Sequence, residues 1–359
     1  DKILLSDGWA SDQTLVIEDG VIKDIQPGYI EGAERARGTI IPGMVNCHSH
    51  AFQRAFAGFS EQGSEGQDSF WTWRKIMYKF LGQLTAEHAE VIATQLYIEM
   101  VKAGYTRVAE FHYLHHDING ENYPELATMA KAIFKAAGKS GIGLTLLPVL
   151  YRFSGFGKQL PNKGQKRFIN SVDQFNQLVS ECFNLSQKYS NTNVGIAPHS
   201  LRAVDKDSLL QAVEHVRALD QQAPVHIHIA EQIAEIEEVR AAYGARPVEW
   251  LFANQEVDAH WCLVHATHMS DDETSTVAAS GAIAGLCPIT EGNLGDGVFP
   301  GAAYVGKDGR FGVGSDSNVN ISLAGELSLL EYSQRLQERA RAVFANETQS
   351  TGRFLIDGA

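Results

Sequence analysis

The chain has 359 residues, 44% hydrophobic and 20% charged, with 33 glycines spread along its length; this excludes a disordered or fibrous chain and allows one large α/β domain with an appendage. Thirty Lys and Arg against 43 Asp and Glu leave a formal net charge of −13 with no basic run, which argues against nucleic acid and anionic membrane surfaces as partners. No apolar run reaches the roughly 18 residues needed to cross a bilayer, and four scattered cysteines (Cys47, Cys182, Cys262, Cys287) suit a reducing, cytoplasmic setting rather than a disulfide framework or a zinc pair.

Residues 2 to 40 carry short alternating apolar stretches (Leu15, Ile17, Val21, Ile25) punctuated by Asp19-Gly20, a hairpin signal, and predict a small β-sandwich-like domain over 1–39. From residue 40 onward, short apolar runs alternate with longer segments of helical period, the pattern of repeated βα units. Eight such runs are read: 40–50, 106–115, 142–151, 193–201, 224–231, 261–268, 282–290 and 311–318. Between the first two, residues 84–104 have helical spacing and end on Gly104, a C-cap signal. Residues 152–170 have no strong period and predict a long loop over one end of the barrel.

A parallel strand buried on both faces should be apolar throughout, yet nearly all eight runs end in polar groups. Eight strands with polar groups gathered at their C-terminal ends predict an α/β fold, a TIM (β/α)8 barrel over 40–359.

His48 and His50 flank Ser49 after the first run, and alternate residues of a strand point to one side, so both imidazoles can reach one ion. Taken alone, such a pair is more often two surface or hydrogen-bonded histidines. His226 and His228 share one face of the fifth run, and Glu231 follows where the chain turns toward a helix. His265 ends the sixth run and Asp316, in GVGSDSN, offers an oxygen ligand from the eighth. Such residues gathered at the ends of four separate strands favour a catalytic zinc over unrelated buried polar groups.

These residues carry a resemblance. HSH after strand one, HxAE on strand five, a His on strand six and SDSN on strand eight resemble the amidohydrolase superfamily across nearly the whole chain. The longer motifs NCHSHAFQRAFAG, FWTWRKIMYKF, APHSLRAV, HIAEQ, LVHATH and CPITEGNLGDGVFP resemble, within it, the iminohydrolases that act on N-formimino-L-glutamate in histidine degradation. The resemblance implies a small β-domain assembled from both chain ends, and since the chain stops at FLIDGA, soon after the helix SLLEYSQRLQERARAV, its C-terminal strands are expected to be missing. Many superfamily members hold two metals bridged by a carbamylated lysine on strand four, but GIAPHSL contains none. The resemblance therefore implies one zinc per chain, held by His48, His50, His228 and Asp316.

It further implies hydrolysis of the amidine carbon–nitrogen bond, releasing N-formyl-L-glutamate and ammonia. Glu231 would shuttle protons to nitrogen, His265 would polarise the water and the tetrahedral intermediate, and Asp316 would take a proton from the water. A dicarboxylate substrate in so acidic a protein needs local cations, and Arg74 and Arg202 are the candidates, although a lone arginine is more often a surface ion pair. Gln53, Tyr113 and His199 match the remaining substrate-pocket positions. A homodimer is the expected assembly. The rival readings are a zinc aminohydrolase of a purine, pterin or triazine ring, and an inactive barrel serving as a scaffold, which would be expected to have lost a ligand or Glu231.

Weaker candidates complete the reading. Glu291 and Asn293 either wall the pocket or order a glycine-rich turn, and the turn is preferred. Cys47 should point away from the metal, His226 stands beside the ligands, and Trp71, Trp73 and Trp250 read as core.

Overall fold

A computed structural model describes residues 2–18, 20–59 and 70–359, the side chains at 70, 71, 72 and 75 excepted, so Asp19 and the Trp71 ring lie outside the described residues. The chain divides into two units, Asp1–Met44 and Val45–Ala359. In the first, β1 (Lys2–Leu5) pairs antiparallel with β2 (Gly8–Ser11), and β3 (Gln13–Glu18) with β4 (Val21–Pro27). The second hairpin turns through Gly20, whose φ of +76° suits a residue without a Cβ. Ile40 bridges to Ile3 in parallel.

The second unit contains β5 (Met44–Ser49, begun in the last residue of the first unit), β6 (Tyr105–His112), β7 (Gly143–Leu150), β8 (Thr192–Val194) continued by β9 (Ala197–Pro198), β10 (Val225–Ile229), β11 (Trp261–His265), β12 (Ile283–Leu286) and β13 (Arg310–Val313). Hydrogen bonding runs β5-β6-β7-β8 in one sheet and β10-β11-β12-β13 in another. Parallel bridges Ile196 to Val225 and Ser200 to His228 join the fourth strand to the fifth, and Ser49 to Asp316 joins the eighth to the first. Eight parallel strands with helices between them thus close into a TIM barrel. Every residue of β7, β10 and β11 is buried, which is why these strands are apolar apart from Thr145 and their histidines.

Two glycines permit the closure. A Cβ at Gly195 would stand 2.2 Å from the carbonyl oxygen of Pro224, and one at Gly314 would stand 2.6 Å from the His48 nitrogen. Only a bare backbone lets those strands approach. Pro148 in β7 has no N–H to donate, and the ladder to the fourth strand breaks between Val194 and Ala197.

The helix expected over 84–104 spans Ala86–Lys102, with Thr85 accepting from the His88 nitrogen and Gly104 just past its end at φ +100°. Two strand boundaries differ from the sequence reading. The first barrel strand starts at Met44 rather than 40, because Ile40 bridges to Ile3 and Pro42 lacks a donor. The last ends at Val313, so Asp316 lies in the loop beyond it. The segment 152–170 is irregular apart from one short turn at Lys163–Gln165. Among the described residues, no helix is long and apolar enough to cross a membrane.

Candidate active site

The residues singled out for chemistry lie at the C-terminal ends of the barrel strands, where successive loops converge. His48 is in β5 with His50 just past it, His228 is in β10, His265 ends β11, and Asp316 follows β13. The Nε2 of His48 is 3.1 Å from that of His50 and 3.0 Å from that of His228. Oδ1 of Asp316 stands 3.4 Å and 3.2 Å from the same atoms of His48 and His50. All four side chains are buried.

The backbone determines which nitrogen of two of these rings faces inward. Nδ1 of His50 is 3.0 Å from the Phe111 carbonyl oxygen, and Nδ1 of His228 is 3.0 Å from that of His199. A carbonyl only accepts, so each Nδ1 carries the proton and each Nε2 presents a lone pair to the centre. Burial lowers the pKa of His48 to about 3 and that of His228 well below the usual imidazole value. Burial opposes the charge of Asp316, but the His48 and His50 rings hold it well below the usual carboxylate range. Neutral imidazoles and an ionised carboxylate packed this closely repel one another unless a cation lies among them, so the donor set fits a divalent metal such as zinc.

Beside this group, Nε2 of His265 lies 3.8 Å from Glu231 Oε1 and 4.0 Å from Asp316 Oδ2. Burial works against a charged His265, yet Glu231, Glu291 and Asp316 together raise its pKa to about 10; a dication among the ligands would push the other way. Burial raises the pKa of Glu231. The backbones of Ala230, His265, Ala266 and Asp316 all adopt left-handed φ between 44° and 69°. Such strain at four non-glycine positions is concentrated where these side chains turn toward the centre. The turn at Ala230 is held by Glu235, whose two oxygens accept from the Ala230 and Glu231 nitrogens at 3.0 Å each.

A cleft opens above, lined by Gln53, Arg74, Tyr113, His199 and Arg202 together with His50, His228, Glu231, His265 and Asp316. Gln53 donates to the Tyr113 hydroxyl at 2.9 Å. Arg74, on the helix Phe70–Leu81, donates to the hydroxyls of Tyr78 and Tyr151 at 2.5 Å and 3.5 Å. Nε of Arg202 and Oε1 of Gln53 are buried without a hydrogen-bond partner, a cost of about 1–3 kcal/mol each that a polar ligand would remove. Burial, then the charge of Arg202, keeps His199 neutral. Tyr151 and Phe168, at the two ends of the 152–170 segment, complete the aromatic wall.

Three expectations are corrected by the geometry. Residues Pro288–Leu294 form a helix rather than a glycine-rich turn, and Glu291 within it is buried, accepting from the Cys287 nitrogen at 2.9 Å and meeting His265 Nδ1 at 3.2 Å. A glycine-rich string conceals this because the pairing partner is 26 residues away. Asn293 is exposed on that helix. His226 does not stand beside the ligands: two residues deeper in the barrel, it hydrogen-bonds the Cys262 thiol, which also meets Cys47. Trp250 is only partly buried, whereas Trp73 is core.

Two residues near the centre escaped sequence reasoning. Cys287 lies within 4.8 Å of donor atoms of His265 and Asp316, but burial raises its thiol pKa well above the usual value, and a neutral thiol is a poor ligand. Asn318 donates to Ser49 Oγ, His50 O and Asp316 O at 3.2, 3.0 and 2.9 Å. Its place in SDSN was the available signal.

The barrel with a His-His-His-Asp group that could hold a metal ion is the architecture of a hydrolase, and the model of the amidohydrolase family matches residues 39–348. The chain belongs to the amidohydrolase family. It is 47% identical to the formimidoylglutamate deiminase of Pseudomonas aeruginosa, over 100% of this chain and 79% of that protein. An amidohydrolase from Brucella melitensis of known structure is 51% identical and superposes with a TM-score of 0.95, covering 100% of this chain and 79% of that one. An adenosine deaminase from Xanthomonas campestris with bound zinc shares the fold at 20% identity and a TM-score of 0.73, over 94% of this chain and 73% of its own.

Proposed function

We propose that the protein is a formimidoylglutamate deiminase, hydrolysing N-formimino-L-glutamate to N-formyl-L-glutamate and ammonia in histidine degradation. It would do so as a cytoplasmic homodimer with one zinc per chain, using a barrel over 40–359 and a small β-domain over 1–39. The observation that carries the substrate assignment is the pair Arg74 and Arg202 lining a cleft whose floor is the His-His-His-Asp group. Two guanidinium groups above one reaction centre suit an acyclic dianion, and the relative named for this substrate matches along the whole chain.

His48, His50, His228 and Asp316 would hold the zinc, which when bound would lower the pKa of water toward about 7 and so supply a nucleophile at neutral pH. Asp316 would take a proton from the attacking water. Arg74 and Arg202 hold the two carboxylates and so place the amidine carbon over the centre, with Gln53, Tyr113 and His199 contacting the remaining polar atoms. With its Nδ1 proton directed to Glu291, His265 would present Nε2 as the acceptor that orients the attacking water. Glu231, whose pKa burial raises, would give one proton to the terminal nitrogen and Asp316 the one taken from water; the C–N bond breaks, ammonia leaves, and the hydroxyl proton passes back to Glu231 as the carbonyl of the formyl group forms. Tyr113, Tyr151 and Phe168 exclude bulk water from the cleft.

The test is ammonia release by the zinc-loaded protein from N-formimino-L-glutamate beside guanine and cytosine. Ammonia from the first alone is expected. Release from either ring compound instead would favour a ring aminohydrolase, and release from none would favour a scaffold.

A further inference from the structure

The helix Pro288–Leu294 carries one buried carboxylate to the back of the reaction centre. Oε1 of Glu291 accepts from the Cys287 nitrogen at 2.9 Å and lies 3.2 Å from Nδ1 of His265. The first bond ties the carboxylate to its own helix start, so its position does not depend on the histidine. The second meets a ring that is 1% exposed, stacked on His228 at 5.5 Å with 15° between the planes. His265 also sits at φ 69°, a backbone conformation that needs outside support.

We propose that Glu291 is a positioning residue that sets the tautomer and orientation of His265 for the hydrolytic step. An ionised carboxylate only accepts, so it claims the proton on Nδ1 and leaves Nε2 as the atom facing Glu231 and Asp316. Without that acceptor the Nδ1 side of the buried ring has no hydrogen-bond partner among the described residues, and the other tautomer or a rotated ring becomes accessible. Glu291 itself does not line the cleft, so its influence reaches the substrate through the imidazole. A carboxylate behind an imidazole is worth building only where the far nitrogen must be of one kind at one place.

This inference rests on the proposed reaction, and two readouts separate the failures. The first needs no turnover: ring nitrogen shifts in zinc-loaded, histidine-labelled protein, with the His265 signals identified by their loss in His265→Asn. Protonated Nδ1 is expected in the native protein and a changed or mixed tautomer in Glu291→Leu, with zinc content unchanged; an identical tautomer in that variant overturns the proposal. The second is a double-mutant cycle on ammonia release from N-formimino-L-glutamate. Glu291→Leu should lower kcat by about 10²-fold with KM within about threefold, and Glu291→Gln, whose amide oxygen still accepts, should recover much of the loss. Added to His265→Asn, Glu291→Leu should cost less than about twofold further. A multiplicative loss in the double variant would show that Glu291 acts on the site by another route. If the native protein does not turn over that substrate, the functional reading fails while the nitrogen shifts still decide the role of Glu291.

Discussion

Ser49 and Asp316 pair across the last seam of the barrel. The His50 nitrogen donates to the Asp316 carbonyl oxygen at 3.0 Å, and the Asp316 nitrogen donates to that of His48 at 2.9 Å. One bridge therefore closes the sheet and sets two histidines of the first strand beside the aspartate of the eighth. Ligand geometry and barrel closure are the same structural event, so a metal bound there should stabilise the closed barrel.

Elemental analysis should find about one zinc per chain, since four donors converge in one group. Removing it with a chelator should lower Tm, and zinc should restore it; a metal at 100 times its Kd contributes about 2.7 kcal/mol. A reproducible content near two would sink the mononuclear assignment.

The amide of Glu231→Gln preserves shape and removes proton transfer. Zinc should stay bound while turnover falls by roughly 10² or more. Near-normal turnover would assign the shuttle elsewhere, with His265 the first suspect.

Arg202→Met tests the dianion. Lost charge-assisted bonds should cost roughly 1.5–3 kcal/mol each in kcat/KM without changing zinc occupancy. An analogue lacking the paired carboxylate should be affected much less. Equal losses for both compounds would make Arg202 structural and leave the substrate argument on Arg74.

Glu235 links stability to pH. Burial, with repulsion from Glu231, lifts its pKa to about 7 from an ordinary 4.5, against the two backbone N–H groups that favour its charge. The native state then holds this proton more tightly than the unfolded chain. Its contribution to stability is full below about pH 4.5 and declines as pH rises through 7. In Glu235→Gln that slope should flatten, with an added offset of about 1–3 kcal/mol because one N–H loses its acceptor. Urea midpoints across pH 4 to 8 measure both effects; parallel curves for the two proteins would refute the assignment.

Asn318→Ala removes two donations across the seam between the first and eighth strands, to Ser49 Oγ and the His50 carbonyl, and one to the Asp316 carbonyl within its own loop. A loss of about 1–3 kcal/mol in stability is expected, with weaker zinc retention. Unchanged zinc affinity by competition with a chelating dye would show that the seam does not govern the ligands.

Much of the barrel is legible along the chain because parallel strands buried on both faces must be apolar. A His, Asp or Glu at the end of such a run is then conspicuous, as His228, His265 and Asp316 are. Local geometry also makes His48 and His50 readable as a pair, since a period of two puts them on one side. Glu291 was misread for the opposite reason. Its meaning lies in a contact with His265, and no local period marks a residue whose partner comes from another strand.

Residue order alone therefore determined the βα alternation, the chemistry available at each strand end and the family motifs, because these depend on neighbours within a few positions. Only the closed barrel decided that His226 lies with Cys262 while His228 lies with His48, that Gly314 must be bare for the last seam, and that Asn318 and Glu291 stand behind the reacting groups. Those relations join segments up to 269 residues apart. Their physical cause is the packing of strand ends around one axis, which no local stretch of sequence contains.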